Sequence, residues 1–165
     1  MAINKEKKGE ILARLARIFT DSVSVSFVNF HKLTVKNVQE LRRAMRAAGS
    51  GYFVAKKTLI AKALEGGTFT GTVPELKGEI AVAYLEKGGS DLTAPAREIY
   101  GFEKKFEKTV ALVGGIFEGL FKNRDEMLVL ATIPSRQTLY AQFVNLVNSP
   151  LQRFTVVINE ISKKK

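Results

Sequence analysis

The sequence predicts an α/β (α+β) fold, in which a mixed sheet of about four or five strands is flanked by helices and followed by a C-terminal amphipathic helical extension. Three observations lead to this prediction. Over residues 1–132, segments with strand periodicity alternate with segments of helical periodicity on short loops. The composition, 45% hydrophobic and 25% charged, is that of an ordinary globular domain. Beyond this region only helical periodicity remains, so we divide the chain into a domain over 1–132, a linking helix over 133–149 and a terminal helix over 150–165.

The first predicted elements are a helix, a strand and a second helix. Asn4 is a suitable N-cap for a helix that ends near Phe19. Residues 23–27 alternate apolar side chains with serine, which is the pattern of a strand buried on one face only. Thr34 is the expected N-cap of the second helix and Gly49 its expected stop, because glycine readily adopts the left-handed conformation that ends helices.

The rest of the domain continues the alternation. In chain order we predict a strand over 52–55, a short helix over 58–64, a strand over 79–85, a helix from Ser90 or Asp91 to about Phe106, one or two strands within 110–117 and a short helix over 125–130. Pro95 fits the first turns of its helix, where the N–H that proline lacks has no helical partner. The strand over 79–85 is almost wholly apolar, so we expect it in the interior of the sheet.

A proline separates the linking helix from the terminal helix. Pro134-Ser135 opens the linking helix, and Ser149-Pro150 is predicted to interrupt the helical pattern, because proline disfavours helix in the residue before it. The terminal helix carries one apolar stripe, formed by Leu151, Phe154, Val157, Ile158 and Ile161. A stripe of this size marks a partner site if it stays exposed. The alternative is that the helix folds back on the domain core.

The positive charge of the chain is concentrated near the N-terminus. There are 26 Lys+Arg against 16 Asp+Glu, a formal net charge of +10. Residues 1–65 contain 13 basic and 5 acidic side chains, a net charge of +8, so the remaining hundred residues contribute only +2. Such a field attracts polyanions, above all nucleic acid. We therefore expect the N-terminal part to bind a polyanion; the alternative is a solvated surface with a uniform excess of charge.

Two basic constellations in this region suit phosphate groups. Arg42 and Arg46 are one helical turn apart on the side away from the apolar residues, and guanidinium groups bind phosphate through two parallel hydrogen bonds. Lys56-Lys57-Thr58 follows a strand and begins a helix, where free backbone N–H groups bind anions. The candidate contact residues, which we expect to form one continuous basic face, are Lys5, Lys7, Lys8, Lys32, Lys36, Arg42, Arg43, Arg46, Lys56, Lys57, Thr58 and Lys62.

Three side chains near these cations are candidates for stacking on unpaired bases: Phe30, His31 and Tyr52. For each of them a position in the core or at a helix end is an open alternative. The sequence contains neither the basic-aromatic strand motif nor the GXXG loop of the common RNA-binding modules. The basic face therefore predicts nucleic-acid binding without identifying a module.

Catalysis finds no support in the sequence. The absence of cysteine and the single histidine exclude disulfide scaffolds, zinc fingers and thiol nucleophiles. The glycine-rich segments 66–71 and 114–119 lack the Lys-Ser/Thr pair of a Walker loop. We therefore predict no enzymatic activity, no catalytic residue, no cofactor and no metal. The N-terminus lacks the apolar core of a secretory signal, and no apolar stretch reaches the roughly 20 residues of a membrane helix, so we expect a cytoplasmic protein without a membrane partner.

Several short motifs follow one another in a characteristic order along the chain: Leu33-Thr34-Val35, Glu40-Leu41-Arg42, Arg46-Ala47-Ala48-Gly49, Val54-Ala55-Lys56-Lys57-Thr58-Leu59 with Ala63, Leu76-Lys77-Gly78, Gly114-Gly115-Ile116-Phe117-Glu118-Gly119 and Leu130-Ala131-Thr132-Ile133-Pro134-Ser135. Their order closely resembles that of one family, the bacterial large-subunit ribosomal protein number ten, which forms the base of the ribosomal stalk. Each motif is weak alone, but their order and spacing across nearly the whole chain are specific. Two departures, Lys57 in place of the usual asparagine and Lys32 in place of a frequent glycine, both add positive charge.

This resemblance implies a structural ribosomal protein. Its N-terminal domain would bind large-subunit rRNA beside ribosomal protein number eleven, through the basic residues given above. Its terminal helix would dock dimers of the acidic stalk protein through the stripe from Leu151 to Ile161, and the short helix implies two dimers. Translational GTPases would be recruited indirectly, through those dimers. Ser149 and Pro150 would form a hinge that lets the helix swing, and the protein would be cytoplasmic and ribosome-associated.

The same sequence features are compatible with other functions. A nucleic-acid-binding regulator outside the ribosome, with a dimerising C-terminal helix, would also use a basic face and an apolar stripe. A membrane-surface protein would need lysines that flank the stripe, and only Lys163-Lys164-Lys165 provides them. Sedimentation with the large subunit distinguishes the ribosomal function from these alternatives.

Overall fold

A computed structural model of the protein describes residues 5–67, 69–71, 74, 76–85, 89, 91–106 and 109–163, with Lys5 as backbone only. Within these residues the chain forms six helices and five strands. The helices are α1 (Lys5–Asp21), α2 (Val35–Ala47), α3 (Lys57–Glu65), α4 (Ala94–Lys105), α5 (Arg124–Thr132) and α6 (Arg136–Lys163). The strands are β1 (Ser24–Phe30), β2 (Ser50–Val54), β3 (Ile80–Leu85), β4 (Val110–Phe117) and β5 (Leu120–Asn123). The chain divides into two compact units, residues 1–133 and residues 134–165.

The five strands form one sheet in the order β2-β3-β1-β4-β5. All of its strand pairings are antiparallel. The predicted fold class is confirmed: a sheet of five strands is combined with helices, and a C-terminal helix follows. The strand that was predicted to be interior is β3, which lies between β2 and β1 and is buried at every residue except the half-buried Tyr84.

The middle strand, β1, differs from its prediction. The alternation of serine with apolar residues predicts one buried face, yet both faces of β1 are covered. Ser24 and Ser26 are buried as fully as Phe27, with 1%, 0% and 0% of their surfaces exposed. The prediction of a half-buried strand is therefore wrong. Serine is small enough to lie beneath a helix, and Ser26 is flanked in the neighbouring strands by the equally small Ala83 and Gly115.

Helices cover both faces of the sheet and create two hydrophobic cores. Core 1 lies under α2, α4 and α5 and consists of Val28, Leu41, Met45, Ala81, Ala83, Ala96, Ile99, Phe102, Val110, Leu112, Met127 and Ala131. Core 2 lies under α1 and α3 and consists of Leu15, Ile18, Phe19, Val25, Phe27, Ile60, Ala63, Leu64, Ile80, Val82 and Ile116. Since both faces of the sheet are occupied, the first unit buries most of its apolar side chains within itself.

One strand, β5, is absent from the sequence predictions. It pairs with β4 through a two-residue turn at Glu118-Gly119, where the φ angles are 52° and 80°. Two consecutive positive φ angles are typical of the type I′ turn, whose twist matches that of the flanking strands. With only four residues, β5 is too short to display an alternating pattern in the sequence.

Several predicted helix ends are confirmed, but α4 begins at Ala94, with Thr93 as its N-cap, and not at the predicted Asp91. The Thr34 hydroxyl accepts a hydrogen bond from the Asn37 N–H at 3.4 Å, and Gly49 has a φ of 67°, so the predicted cap and stop of α2 are confirmed. Pro95 lies in the first turn of α4 as predicted. The predicted capping residues Asn4 and Ser90 lie outside the described residues.

Asp91 organises the start of α4. Its Oδ1 accepts hydrogen bonds from the Thr93 N–H at 3.2 Å and the Thr93 hydroxyl at 2.9 Å. Its Oδ2 lies 2.6 Å from Nη2 of Arg97, and Nη1 of Arg97 donates to the Ile133 carbonyl at 3.4 Å. Burial raises the pKa of Asp91, but the hydrogen bonds from Arg97 and Thr93 and the charge of Arg97 outweigh burial, so the pKa lies below its ordinary value. This network ties α4 to the end of α5.

The helix α6 is continuous, and the break predicted at Ser149-Pro150 is therefore wrong. The helix spans 28 residues and contains Pro150 in its interior. Proline there removes one backbone hydrogen bond, to the carbonyl of Leu146, and that loss favours a bend rather than an end when the flanking turns hold. Because the helix is exposed, water can satisfy the carbonyl that loses its partner.

Candidate nucleic-acid and partner interfaces

The exposed side of α2 forms a basic cleft, called here the α2 cleft. Leu41 and Met45 are buried in core 1, so helical periodicity turns the intervening arginines outward. The cleft has a volume of about 740 Å³ and is lined by Lys36, Gln39, Glu40, Arg42, Arg43 and Arg46. Its one acidic residue, Glu40, is held by Nζ of Lys105 at 2.5 Å. Within the described part of the chain, Arg43 and Arg46 have no carboxylate partner, so both guanidinium groups are available to a polyanion.

Tyr52, a predicted stacking residue, lies half-buried against core 1. Burial raises the pKa of Tyr52 to about 12, although the charge of the nearby Arg42 opposes this rise. The phenol is neutral at physiological pH with or without this rise, so Tyr52 adds no negative charge beside Arg42. The position of Tyr52 favours a packing role over an open stacking platform.

A second basic site lies where three strands end. Asn29 of β1 pairs with Ile80 of β3, and Val54 of β2 pairs with Ala81, so these strand ends meet at one end of the sheet. The sheet-end groove formed there has a volume of about 550 Å³ and is lined by Ile11, Phe30, Val54, Ala55, Lys56, Lys57, Thr58, Leu59, Gly78, Glu79 and Ile80. No side chain caps α3, whose first N–H groups therefore remain open to an anion beside two lysines.

The loop between β1 and α2 carries the next predicted residues. The backbone N–H of His31 donates to the Thr109 carbonyl at 2.8 Å, which ties the loop to the start of β4. Lys32 is exposed and has a φ of 51°, in the left-handed region. Phe30 and Leu33, on either side, pack against core 1. The loop is thus held on both sides of its one strained residue.

Sequence reasoning missed two cations near His31. Lys104 and Arg124 line a cavity of about 580 Å³ together with His31, Asn29, Tyr100, Glu103, Thr109, Val110 and Ala111. Nζ of Lys104 lies 4.5 Å from the Tyr100 ring centroid, and Nη2 of Arg124 lies 2.9 Å from Oε1 of Glu103. Both belong to the segment after residue 65, whose net charge is small, so only the folded chain brings them to this place.

The structure divides the basic face that the sequence predicts to be continuous. α2 covers core 1 and α3 covers core 2, so Arg46 and Lys62 lie on opposite sides of the sheet. Lys62 lines a cavity with Gly66, Gly67 and the hairpin residue Gly119, away from Lys56 and the sheet-end groove. Lys7 and Lys8 are exposed on α1, and the side chain of Lys5 lies outside the described residues.

The helix α6 exposes all of its apolar side chains. The five predicted partner residues, Leu151, Phe154, Val157, Ile158 and Ile161, are all more than half exposed. Because the helix is continuous, Leu139, Phe143, Leu146 and Val147 extend the same stripe toward its N-terminus. The exposed apolar stripe therefore runs from Leu139 to Ile161, about twice the length predicted from the terminal segment alone.

The described residues lack both a metal-binding cluster and a membrane-spanning helix. They contain no group of three or more His, Asp or Glu side chains arranged to hold a metal ion. None of their helices is both long and apolar enough to cross a membrane.

Comparison with known proteins gives consistent similarities. The model of the family described as Ribosomal protein L10 matches residues 3–104. The large ribosomal subunit protein uL10 of Shouchella clausii is 32% identical over 160 residues, covering 97% of this chain and 94% of that protein. Its counterpart in Clostridioides difficile is 35% identical over 160 residues, covering 96% and 93%. That of Gluconobacter oxydans is 36% identical over 156 residues, covering 94% and 82%. The similarity thus extends over both units of the chain.

Proposed function

The chain belongs to the ribosomal protein L10 family, and on that premise we propose that it forms the base of the large-subunit stalk. Its first unit binds large-subunit rRNA, and α6 docks dimers of the acidic stalk protein. As a family member the chain is a structural ribosomal protein and not an enzyme, in agreement with the prediction from its sequence.

One observation carries this proposal: the two units present opposite kinds of surface. The first unit has its apolar side chains in two cores and its cations outside. The helix α6 has no buried side chain and exposes a continuous apolar stripe. A charged surface suits a polyanion, whereas an uncovered apolar stripe suits an amphipathic helix of another protein.

The α2 cleft and the sheet-end groove supply two kinds of phosphate contact. Arginines in the cleft form paired hydrogen bonds to a phosphate, and the uncapped start of α3 offers backbone N–H groups beside Lys56 and Lys57. Thr58 adds a hydroxyl at the same place. Contacts of this type set the position of an RNA helix without reading its bases.

The apolar stripe of α6 suits dimers whose contacting segments are helical and whose charge is negative. The helix α6 carries three basic residues and one acidic residue, a net charge of +2. From Leu139 to Ile161 the stripe spans 23 positions, about 34 Å at the rise of an α-helix. Two helical segments laid side by side across it cover about 20 Å, because a helix with its side chains is about 10 Å wide. The stripe is therefore longer than one dimer with two such segments requires, and the number of two dimers remains what the resemblance to the family implies.

The remaining parts of the proposal follow from this arrangement. Pro150 weakens the middle of α6 by removing a backbone hydrogen bond, so Ser149 and Pro150 form the hinge at which the docked dimers swing. Ribosomal protein number eleven is the neighbour on the same rRNA, and translational GTPases are recruited through the dimers. The protein is then cytoplasmic and ribosome-associated.

A salt titration of rRNA binding tests the proposal that the first unit binds rRNA. Neutralising Arg42, Arg46 and Lys56 together should weaken binding and reduce the slope of log affinity against log salt by about one unit per lost phosphate contact. The matched control is Arg153→Gln on α6, which removes a cation outside the proposed surface. An unchanged slope in the triple variant would show that this surface does not contact RNA.

Native mass spectrometry with the acidic stalk protein tests the proposal that α6 docks its dimers, because it counts bound dimers directly. Phe154→Glu with Ile158→Glu should abolish binding to the C-terminal part of the stripe, since both charges would be buried against the dimer. Gln152→Glu with Asn159→Glu adds the same charge on the polar face and should leave binding intact.

Deleting residues 150–165 should remove dimers without affecting rRNA binding. Full occupancy by dimers after this deletion would contradict the proposal that the terminal segment docks them.

A further inference from the structure

Lys32 lies on the loop between β1 and α2, between residues that line the two halves of the basic surface. Two positions before it, Phe30 lines the sheet-end groove, and four positions after it, Lys36 lines the α2 cleft. The two sites belong to opposite sides of the sheet, and the loop that carries Lys32 connects them at the sheet end. A cation on this loop is therefore placed between the two halves of the basic surface.

The backbone at Lys32 is strained. Its φ of 51° lies in the left-handed region, which a side chain with a Cβ disfavours and which glycine adopts freely. The surrounding contacts impose this conformation. Phe30 donates its N–H to the Glu79 carbonyl at 3.1 Å, His31 donates to Thr109, and Leu33 packs against core 1. Glycine would satisfy the same backbone without strain, so nothing in the folding of this loop requires a lysine.

The side chain of Lys32 has no structural role in the described part of the chain. It is exposed and makes neither an ion pair nor a hydrogen bond there. A strained residue whose side chain contributes nothing to the fold is a functional candidate, because strain persists where it serves a function. Backbone held on both sides also restricts where its ammonium group can reach.

We propose that Lys32 is an rRNA phosphate contact that joins the α2 cleft to the sheet-end groove, and that the protein gives up stability to place it. This inference rests on the proposed function, since it assumes that the basic surface binds rRNA. It predicts opposite signs for two measurements on one variant: a gain in stability and a loss in RNA affinity.

The experiment measures melting temperature and affinity for in vitro transcribed large-subunit rRNA, with an RNA of equal length and shuffled sequence for comparison. Lys32→Gly should raise the melting temperature by about 2 to 4 °C, because it relieves the left-handed strain. It should weaken rRNA binding about tenfold and lower the salt slope by about one unit. Lys32→Arg keeps charge and strain and should change neither quantity much.

The chain offers a matched control in Glu118, the other described non-glycine residue with a positive φ. It lies in the β4–β5 hairpin, at the opposite end of the sheet from Lys32. Glu118→Gly should raise the melting temperature similarly and leave rRNA affinity unchanged or slightly stronger. Strain relief is thereby separated from loss of the cation.

Three outcomes decide the matter. Lower affinity of Lys32→Gly with normal affinity of Glu118→Gly supports the inference. If the wild type binds rRNA specifically and Lys32→Gly binds it with the same affinity, the inference about Lys32 is wrong but the proposed function stands. Wild-type protein that binds rRNA no better than the shuffled RNA overturns the proposed function, and the inference with it.

Discussion

Both units of this chain carry periodically spaced apolar side chains, but the first unit buries them and the second exposes them. Phe27 of β1 is 0% exposed, whereas Phe154 of α6 is 66% exposed. Both faces of the sheet are already covered, by α2, α4 and α5 on one side and by α1 and α3 on the other. An apolar stripe is therefore a core only when a free surface of the same chain can cover it; otherwise it is a surface for another chain.

The largest expected effect tests this difference directly, by removing the same side chain from each unit. Phe27→Ala should destabilise the first unit by about 3 to 5 kcal/mol, because it leaves a cavity between β1 and the helices over core 2. Phe154→Ala should change the free energy of unfolding by less than about 0.5 kcal/mol, because that ring is exposed. Urea denaturation of both variants provides the measurement. A loss of several kcal/mol from Phe154→Ala would mean that α6 packs within its own chain.

Replacing Pro150 should stabilise the middle of α6 without affecting the first unit. Pro150→Ala restores a hydrogen-bonding N–H and removes a penalty of about 3 kcal/mol for proline in a helix interior. Hydrogen exchange of the amides around residues 146–154 should slow by about a hundredfold, which is the factor that corresponds to that penalty, while exchange in the first unit stays the same. The control is Ser149→Ala, which keeps the proline and should alter exchange little. Equal protection in wild type and Pro150→Ala would rule out a weakened helix, and with it the hinge.

A smaller effect is expected at the buried serines of β1. The Oγ atoms of Ser24 and Ser26 are buried and have no hydrogen-bond partner among the described residues. Ser26→Ala should therefore stabilise the protein, by about 1 kcal/mol, because it removes an unsatisfied polar group at little change in volume. Ser50, also buried, donates to the Ala48 carbonyl at 3.5 Å, so Ser50→Ala should destabilise slightly. Thermal unfolding of the two variants gives the signs, and destabilisation by Ser26→Ala would indicate a partner for that hydroxyl.

The smallest expected effect is the pH dependence at Asp91. Its folded pKa lies below the ordinary value of 3.8, so its contribution to stability is complete above pH 3.8 and is lost as pH falls through the folded pKa. Asp91→Asn should cost about 0.5 to 1 kcal/mol at pH 7, since the carboxylate is partly exposed to water. Unfolding curves of wild type and variant should converge as the pH falls below 3.8. A difference that stays constant with pH would exclude the carboxylate as the cause.

The sequence predicted those elements whose pattern is local. Thr34 and Gly49 mark the ends of α2, because capping depends on the side chain and backbone of single residues. It failed at β1, where serine suggested an exposed face, and at β5, whose four residues are too few for a pattern. It also failed at Pro150, because a proline can bend a helix as well as end it.

The predicted contact residues show the same limit. The excess of cations in residues 1–65 identified a basic surface, because charge can be counted along the chain. Neither the separation of Arg46 from Lys62 nor the approach of Lys104 and Arg124 to His31 is visible in that count. Both depend on which side of the sheet each helix covers.

The sequence by itself determined the fold class, the family and the concentration of positive charge in residues 1–65, because periodicity, motif order and charge are properties of the chain. Only the tertiary structure decided that the basic surface is divided by the sheet and that the apolar stripe is continuous through Pro150. It also decided that Lys32 is held in a left-handed conformation between the two halves. The division of the basic surface and the conformation of Lys32 arise from contacts between residues distant in sequence, which no local pattern records. The continuity of α6 depends on whether the helix bends or ends at Pro150, and a proline in the sequence is compatible with both.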